Sequence, residues 1–211
     1  MKRHLVIFAR APQMGRVKRR LAAGIGMRAA CDFYVLTLAH QIRMLARDPR
    51  WTVWLFVTPD TALRHPAWRG LRLRPQGTGD LGQRMKRPFA ILPPGPTVLV
   101  GSDIPGLRPH HIARAFALLG GHELVFGPAT DGGFWLFGAK RIRSLPRSLF
   151  LNVRWSTSSA LAETLANIPQ ASVALVDTLE DVDDLAAYRR FRLSSSARTM
   201  AKTGAQSPGT D

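Results

Sequence analysis

Apolar and polar positions fall into short blocks that read in turn as strands and helices. His4 to Ala9 (HLVIFA) and Thr97 to Val100 are continuous apolar runs bounded by turn residues, the pattern of strands buried on both faces. Trp51 to Val57 (WTVWLFV) reads the same way, with Trp54 and Phe56 on one face of a sheet and Val53 and Leu55 on the other. Leu71 to Arg74, Glu123 to Gly127, Phe134 to Phe137 and Val173 to Val176 complete the predicted strands. Between them the period lengthens. Over Met27 to Arg47, Ala30, Phe33, Tyr34, Leu36, Thr37, Leu38, Ile42 and Leu45 recur at helical spacing until Asp48-Pro49 ends the run.

Further helices are predicted from near Val17 and over Pro109 to Leu119, the latter with Ile112, Ala115, Phe116 and Leu119 inward. Asp80 is placed to cap another that runs to about Leu92, with Pro88 kinking or ending it. A helix from about Ser158 to Asn167 has Ser156 or Thr157 as its natural cap, and Leu185 to Leu193 closes the fold. Strand–helix alternation of this kind predicts an α/β protein. The reading is one domain over residues 1–193. From Ser194 to Asp211 the chain has almost nothing to bury, which predicts a disordered tail.

Composition narrows the picture. With 45% hydrophobic residues in 211, the chain supports one domain with a real core. The apolar run after Met1-Lys2-Arg3-His4 is too short for a signal peptide. No run approaches the roughly 20 residues of a membrane span. The expectation is a soluble, cytoplasmic protein. A single cysteine, Cys31, excludes an internal disulfide, and its neighbours Ala29, Ala30 and Phe33 suggest helix packing. The net charge of +16 comes mainly from arginines scattered along the chain. No aromatic-interleaved basic repeat or zinc-finger spacing accompanies them, so specific nucleic-acid binding is not expected.

Charge is informative at one end. The first 31 residues hold no Asp or Glu but carry Lys2, Arg3, Arg10, Arg16, Lys18, Arg19, Arg20 and Arg28. The segment Arg10 to Leu21 (RAPQMGRVKRRL) follows the first strand and enters a helix. A glycine-containing basic loop in that position suits a phosphate group. A solvated basic turn has the same letters. The loop is neither a Walker A sequence nor G-x-G-x-x-G.

Two carboxylates follow buried strands. Asp103, in Gly101-Ser102-Asp103-Ile104-Pro105-Gly106, stands at the carboxyl end of a strand, where open α/β sheets bind ligands. Asp131, in Asp131-Gly132-Gly133, follows another, although a plain hairpin uses the same residues. Two such carboxylates suit Mg²⁺, which takes a few carboxylates together with substrate phosphates. Asp177, Glu180, Asp181, Asp183 and Asp184 gather near the end of an otherwise basic chain. Most suit an acidic helix start, and one is a candidate to complete a metal site. In Gly77-Thr78-Gly79-Asp80, the glycines mark a loop that either closes over a nucleotide or simply leads into a capped helix with an Asp80–Arg84 surface ion pair.

Four stretches together resemble a bacterial family of glycosyltransferases, often described as radical-SAM/selenodomain-associated transferases, in the nucleotide-diphospho-sugar transferase superfamily. They are FARAPQMGRVKRRL, GDLGQRM, GSDIPGL and GPATDGGFWLFG, followed by Trp155-Ser156-Thr157. More distantly, the first loop and the Asp-x-Pro look like phospholactate guanylyltransferase and the molybdenum-cofactor guanylyltransferases. The resemblance runs from about residue 4 to about residue 190. It implies a glycosyltransferase-A-like three-layer α/β/α sandwich with a mostly parallel sheet, and a transferase acting on a nucleotide-activated donor with Mg²⁺ or Mn²⁺. By motif, Arg10, Gly15, Lys18, Arg20, Gly79 and Asp80 would meet the nucleotide and its phosphates. Asp103 and Asp183 would hold metal, and Asp103 and Asp131 would be catalytic. Three positions depart from the family pattern: Arg19 stands where Thr is usual, Pro88 interrupts the helix after GDLG, and the last acidic motif is shortened to Asp181-Val182-Asp183-Asp184-Leu185.

Glycosyl transfer from an NDP-sugar is the first reading. Nucleotidyl transfer from an NTP to a phosphorylated acceptor, releasing pyrophosphate, is the second. A non-catalytic nucleotide- or RNA-binding module is the third.

Overall fold

A computed structural model describes residues 1–204, with side chains described to residue 194. Seven strands form one sheet in the order β3-β2-β1-β4-β6-β5-β7: β1 His4–Arg10, β2 Thr52–Thr58, β3 Leu73–Pro75, β4 Thr97–Gly101, β5 Leu124–Pro128, β6 Phe134–Ala139 and β7 Val173–Leu175. β6 runs antiparallel to β4 and β5, and the other pairings are parallel. The helices are α1 Arg19–Ile25, α2 Met27–Ala46, α3 Leu81–Ile91, α4 Pro109–Leu118, α5 Ala160–Ala166 and α6 Leu185–Gly204. None of the described helices is long and apolar enough to cross a membrane.

Strand alternation builds a core on each face of the sheet. Leu5, Ile7, Leu55, Val57, Val98 and Val100 pack with α2 and α4 residues such as Tyr34, Leu38, Ile112 and Phe116. Val6, Trp54, Phe56, Leu99, Phe126 and Phe137 pack on the other side with Met85 and Phe89 of α3. This is the expected three-layer α/β/α sandwich, and Trp54 and Phe56 are core residues within it. A third small cluster joins α1, α2 and α6 through Leu21, Ala30, Val182 and Ala187.

Several local expectations shift. Leu36, expected inward on α2, is 70% exposed, and Gln41 takes a buried position instead. The polar Gln41 is inward because its amide donates to the Ile104 carbonyl at 2.9 Å. Pro88 lies inside α3 without ending it. Its ring is buried, so packing around it offsets the missing backbone donor. Neither Ser156 nor Thr157 caps α5; Ser159 is its N-cap, without a side-chain bond. The backbone of α6 continues to Gly204, past the Leu193 end expected from the apolar pattern. Residues 205–211 of the expected tail lie outside the described residues.

The topology creates the site. Strand order reverses between β1 and β4, since β1 leads outward to β2 and β3 while the chain returns through α3 to β4. A crevice opens outside the carboxyl ends of such a pair, because the two connections leave in opposite directions.

Candidate active site at the sheet switch point

The loop after β1 is held by its own backbone. Ala11 N–H donates to the Thr58 carbonyl at 2.8 Å, and the N–H groups of Arg16 and Val17 donate to the Gln13 carbonyl at 2.9 and 3.3 Å. Lys18, the residue preceding α1, has left-handed backbone angles (φ 48°, ψ 47°). That conformation costs a non-glycine residue on the order of 1–2 kcal/mol. It accompanies an inward side chain, which is only 4% exposed. The ammonium lies 3.0 Å from Asp103 Oδ2 and 3.4 Å from Asp183 Oδ1. A buried lysine charge is tolerated where it is paired in this way. Arg20, largely exposed, reaches Asp183 Oδ2 at 3.7 Å.

A tyrosine ties the floor together. The Tyr34 hydroxyl donates to the Arg10 carbonyl at 2.8 Å, accepts from Arg10 N–H at 2.9 Å, and lies 3.2 Å from Ser102 Oγ. Burial pushes the phenol up to about 12, so it stays protonated and available as a donor. The ends of β1 and β4 are thereby fixed to α2 beside Asp103.

On the opposite wall, buried Gln76 uses its whole amide. Its Nε2 donates to the carbonyls of Ala9 and Phe56 at 3.2 and 3.0 Å, and its Oε1 accepts from Arg84 at 3.1 Å. Arg84 is therefore aimed into the crevice. The expected Asp80–Arg84 side-chain ion pair is replaced by this bond. The Asp80 carboxylate instead accepts from Gln83 N–H at 2.8 Å in a capping box at the start of α3.

The acidic segment crosses the same edge of the sheet. Leu179 pairs with Ala129 beyond β5, and Val182 N–H donates to the Asp103 carbonyl at 3.2 Å. These bonds bring Asp181 and Asp183 to either side of Asp103. The other acids have partners elsewhere: Asp177 pairs with Arg114 at 3.0 Å, Glu180 with Arg190 at 2.6 Å, and Asp184 accepts from Ala187 N–H at 2.8 Å at the start of α6. Asp181 differs. Burial, together with the charges of Asp103 and Asp131, pushes its carboxyl up to about 6.

Two cavities meet at Asp103. The first, about 430 Å³, is lined by Arg10, Arg16, Lys18 and Arg84, with Tyr34, Gln76 and Ser102 among the polar groups and Phe8 and Phe134 among the apolar ones. The second, about 300 Å³, is lined by Asp103, Asp131, Asp181, Ser156, Thr157 and an aromatic wall of Phe134, Trp135 and Trp155. Phe150 packs behind that wall against Phe134 and Trp155, and the three ring centroids lie 5.7 to 6.2 Å apart. Gly82 of α3 abuts it closely, since a Cβ there would lie 2.6 Å from Phe150 Cβ. Gly132 (φ 87°) holds the β5–β6 turn against the same loop; a Cβ there would overlap the Ser158 carbonyl.

Of the residues expected from sequence, Arg10, Lys18, Asp103 and Asp183 line the first cavity, and Asp103 and Asp131 line the second. Gly15 and Arg20 belong to the basic loop and the α1 start without lining either cavity, and Gly79 and Asp80 precede α3 in the same way. Arg16, Gln76, Arg84 and Asp181 were not among the expected site residues. Arg84 was legible only as half of a helical i, i+4 pair, and Asp181 only as one acid among five.

Mg²⁺ or Mn²⁺ fits the carboxylates here in one form only. Among the described residues no group of three or more His, Cys, Asp or Glu side chains forms a metal cage. Asp103, with Asp181 nearby, suits a cation held by one or two carboxylates and otherwise by ligand phosphates. Asp183 shares Lys18 with Asp103 and also faces Arg20.

A mostly parallel sheet with this switch-point crevice is the architecture of the nucleotide-diphospho-sugar transferases. Within it, the chain belongs to the DUF2064 family, described as uncharacterised proteins conserved in bacteria; the family model matches residues 41–157. A Desulfovibrio desulfuricans G20 protein assigned as a nucleotide-diphospho-sugar transferase is 27% identical, with a TM-score of 0.80 over 87% of this chain and 84% of that one. CMP:2-keto-3-deoxy-manno-octonic acid synthetase complexed with CTP shares the fold at 11% identity, with a TM-score of 0.58 over 94% of this chain and all (100%) of that one. A Mycobacterium tuberculosis H37Rv protein in complex with manganese shares it at 17% identity, with a TM-score of 0.52 over 90% and 97%. No curated protein matches the sequence.

Proposed function

We propose that this chain is a nucleotide-using transferase that moves a glycosyl group from an NDP-sugar, assisted by Mg²⁺ or Mn²⁺. The observation that carries the reading is the position of Asp103, on the boundary between a cationic cavity and an acidic one. Arg10, Arg16, Lys18 and Arg84 would hold the donor diphosphate, each adding charge-assisted hydrogen bonds. Phe8 and Phe134 supply apolar surface beside those cations. Asp103, with Asp181, would hold the metal, whose charge would offset that of the diphosphate leaving group. Lys18 adds cationic stabilisation at the same place as the bond to the sugar breaks. Resemblance to the 27% identical relative supports this reading.

Nucleotidyl transfer is a second reading. The four cations of the first cavity also suit a triphosphate, and a CTP complex occurs on the same fold. A thermal-shift titration of the full chain with NDP-sugars and NTPs, with and without Mn²⁺, separates the two. The expected result is a metal-dependent stabilisation by one NDP-sugar, on the order of 3 kcal/mol at a hundredfold excess over Kd. A shift confined to an NTP, with pyrophosphate released on turnover, would establish the second reading. No shift with any nucleotide would sink both.

A further inference from the structure

The second cavity contrasts with the rest of the molecule. In a chain of net charge +16, the described residues lining it include Asp103, Asp131 and Asp181 but no lysine or arginine. The hydroxyl-bearing Ser156 and Thr157 stand on the same rim, and Trp155, Trp135 and Phe134 supply an aromatic face. The start of α5, which follows Ser156 and Thr157, is pinned to the β5–β6 turn, because Leu161 N–H donates to the Gly132 carbonyl at 3.1 Å. The cavity therefore has a fixed wall and adjoins the phosphate-binding side through Asp103, where a transferred group would emerge.

Resting on the glycosyl-transfer reading above, we infer that this cavity takes the acceptor, and that the acceptor is an uncharged or amine-bearing polyhydroxyl compound rather than a phosphorylated one. Three features carry this. Carboxylates accept hydrogen bonds from hydroxyl and ammonium groups and repel phosphate. The aromatic face packs against the apolar C–H face of a sugar ring or an aliphatic polyol. A phosphate here would find no lysine or arginine among the described lining residues, and Lys18 beside Asp103 is already paired with Asp103 and Asp183, in a partly closed pocket where an unpaired charge is costly. A single divalent cation does not reverse the sign: with Lys18 already paired to Asp103, it brings the three carboxylates to about neutral rather than positive, and its remaining coordination goes to the donor phosphates.

Saturation-transfer NMR on the full chain with MgCl₂ tests this with matched probes. These are methyl glucoside and glucosamine against glucose 6-phosphate, and glycerol against glycerol 3-phosphate. UDP and GDP in the same tube report on the donor side. Methyl glucoside, glucosamine and glycerol are expected to give transfer, with their phosphorylated counterparts at least tenfold weaker. Trp155→Ala should abolish the sugar signal while leaving the nucleotide signal. The Asp131→Asn, Asp181→Asn double variant should narrow the tenfold gap. Equal or tighter binding of the phosphorylated probes overturns the inference, as does absence of binding by every probe while nucleotide still binds. Loss of the nucleotide signal with probe selectivity intact would instead refute the nucleotide reading and uphold the selectivity of the pocket.

Discussion

Lys18 Nζ lies 3.0 Å from Asp103 Oδ2, joining the loop after the first strand to the end of the fourth across 85 residues of sequence. A buried ammonium thus occupies the space beside the carboxylate that the proposed function assigns to a metal. Metal and donor phosphates together would let Lys18 exchange one anionic partner for another without losing its charge pairing. Asp103→Asn should leave the fold intact and remove the metal dependence of nucleotide stabilisation. Turnover should fall on the order of 10²–10³-fold, the scale of losing one electrostatic contact to a transition state. Thermal shift with and without Mn²⁺ checks the first part, and product release checks the second.

Lys18→Met tests the other partner. It leaves Asp103 and Asp183 without the buried cation, and both carboxylates are partly exposed. The expected loss of stability is therefore modest, about 1–2 kcal/mol, below the cost of breaking a fully buried pair. Nucleotide stabilisation should disappear. Urea unfolding, with and without nucleotide, separates the two effects.

Asp181 should make the metal-free protein lose stability as pH rises. Its folded-state carboxyl is pushed up to about 6 from an ordinary value of 3.8. Between these values the native state binds more protons than the unfolded state, so stability falls as pH increases through that window. Asp181→Asn removes the effect. It should stabilise the protein at pH 7 by about 1–3 kcal/mol and make no difference below about pH 4. Urea titrations in EDTA across pH 4 to 7 would show this; an unchanged slope would refute it.

Gln76 and Arg84 should separate cleanly. Arg84→Ala removes a half-exposed cation from the crevice, and nucleotide affinity is expected to drop about 10–100-fold, the worth of a charge-assisted contact, with little loss of stability. Gln76→Leu leaves the Ala9 and Phe56 carbonyls without their donor as well as freeing Arg84. It should lower both affinity and stability, the latter by about 1–3 kcal/mol. Calorimetric titration beside thermal melts distinguishes the pair.

Asp80→Ala provides the contrast. Because Asp80 caps α3 and does not line either cavity, the expected cost is about 1 kcal/mol of stability. Nucleotide affinity should be unchanged in the same titration, and a large loss of affinity would place Asp80 in the binding machinery after all.

The strands and most helices were legible in the local pattern, because burial on both sheet faces demands continuous apolar runs and a packed helix face demands a repeat near 3.6. The positions of Asp103 and Asp131 after buried strands were legible for the same reason: each strand's apolar run ends where the chain turns, at the carboxyl edge of the sheet. The role of each acid in Asp177 to Asp184 was not. Asp177, Glu180 and Asp184 look equivalent to Asp181 in sequence, and only the pairing of Leu179 with Ala129 and of Val182 with Asp103 decides which of them reaches the crevice. Gln76 and Arg84 were hidden likewise, since their bond depends on strand carbonyls distant in sequence. Local sequence determined where the chain turns and which faces are buried. Which polar side chains meet depended on backbone bonds between segments far apart along the chain, which no local period encodes.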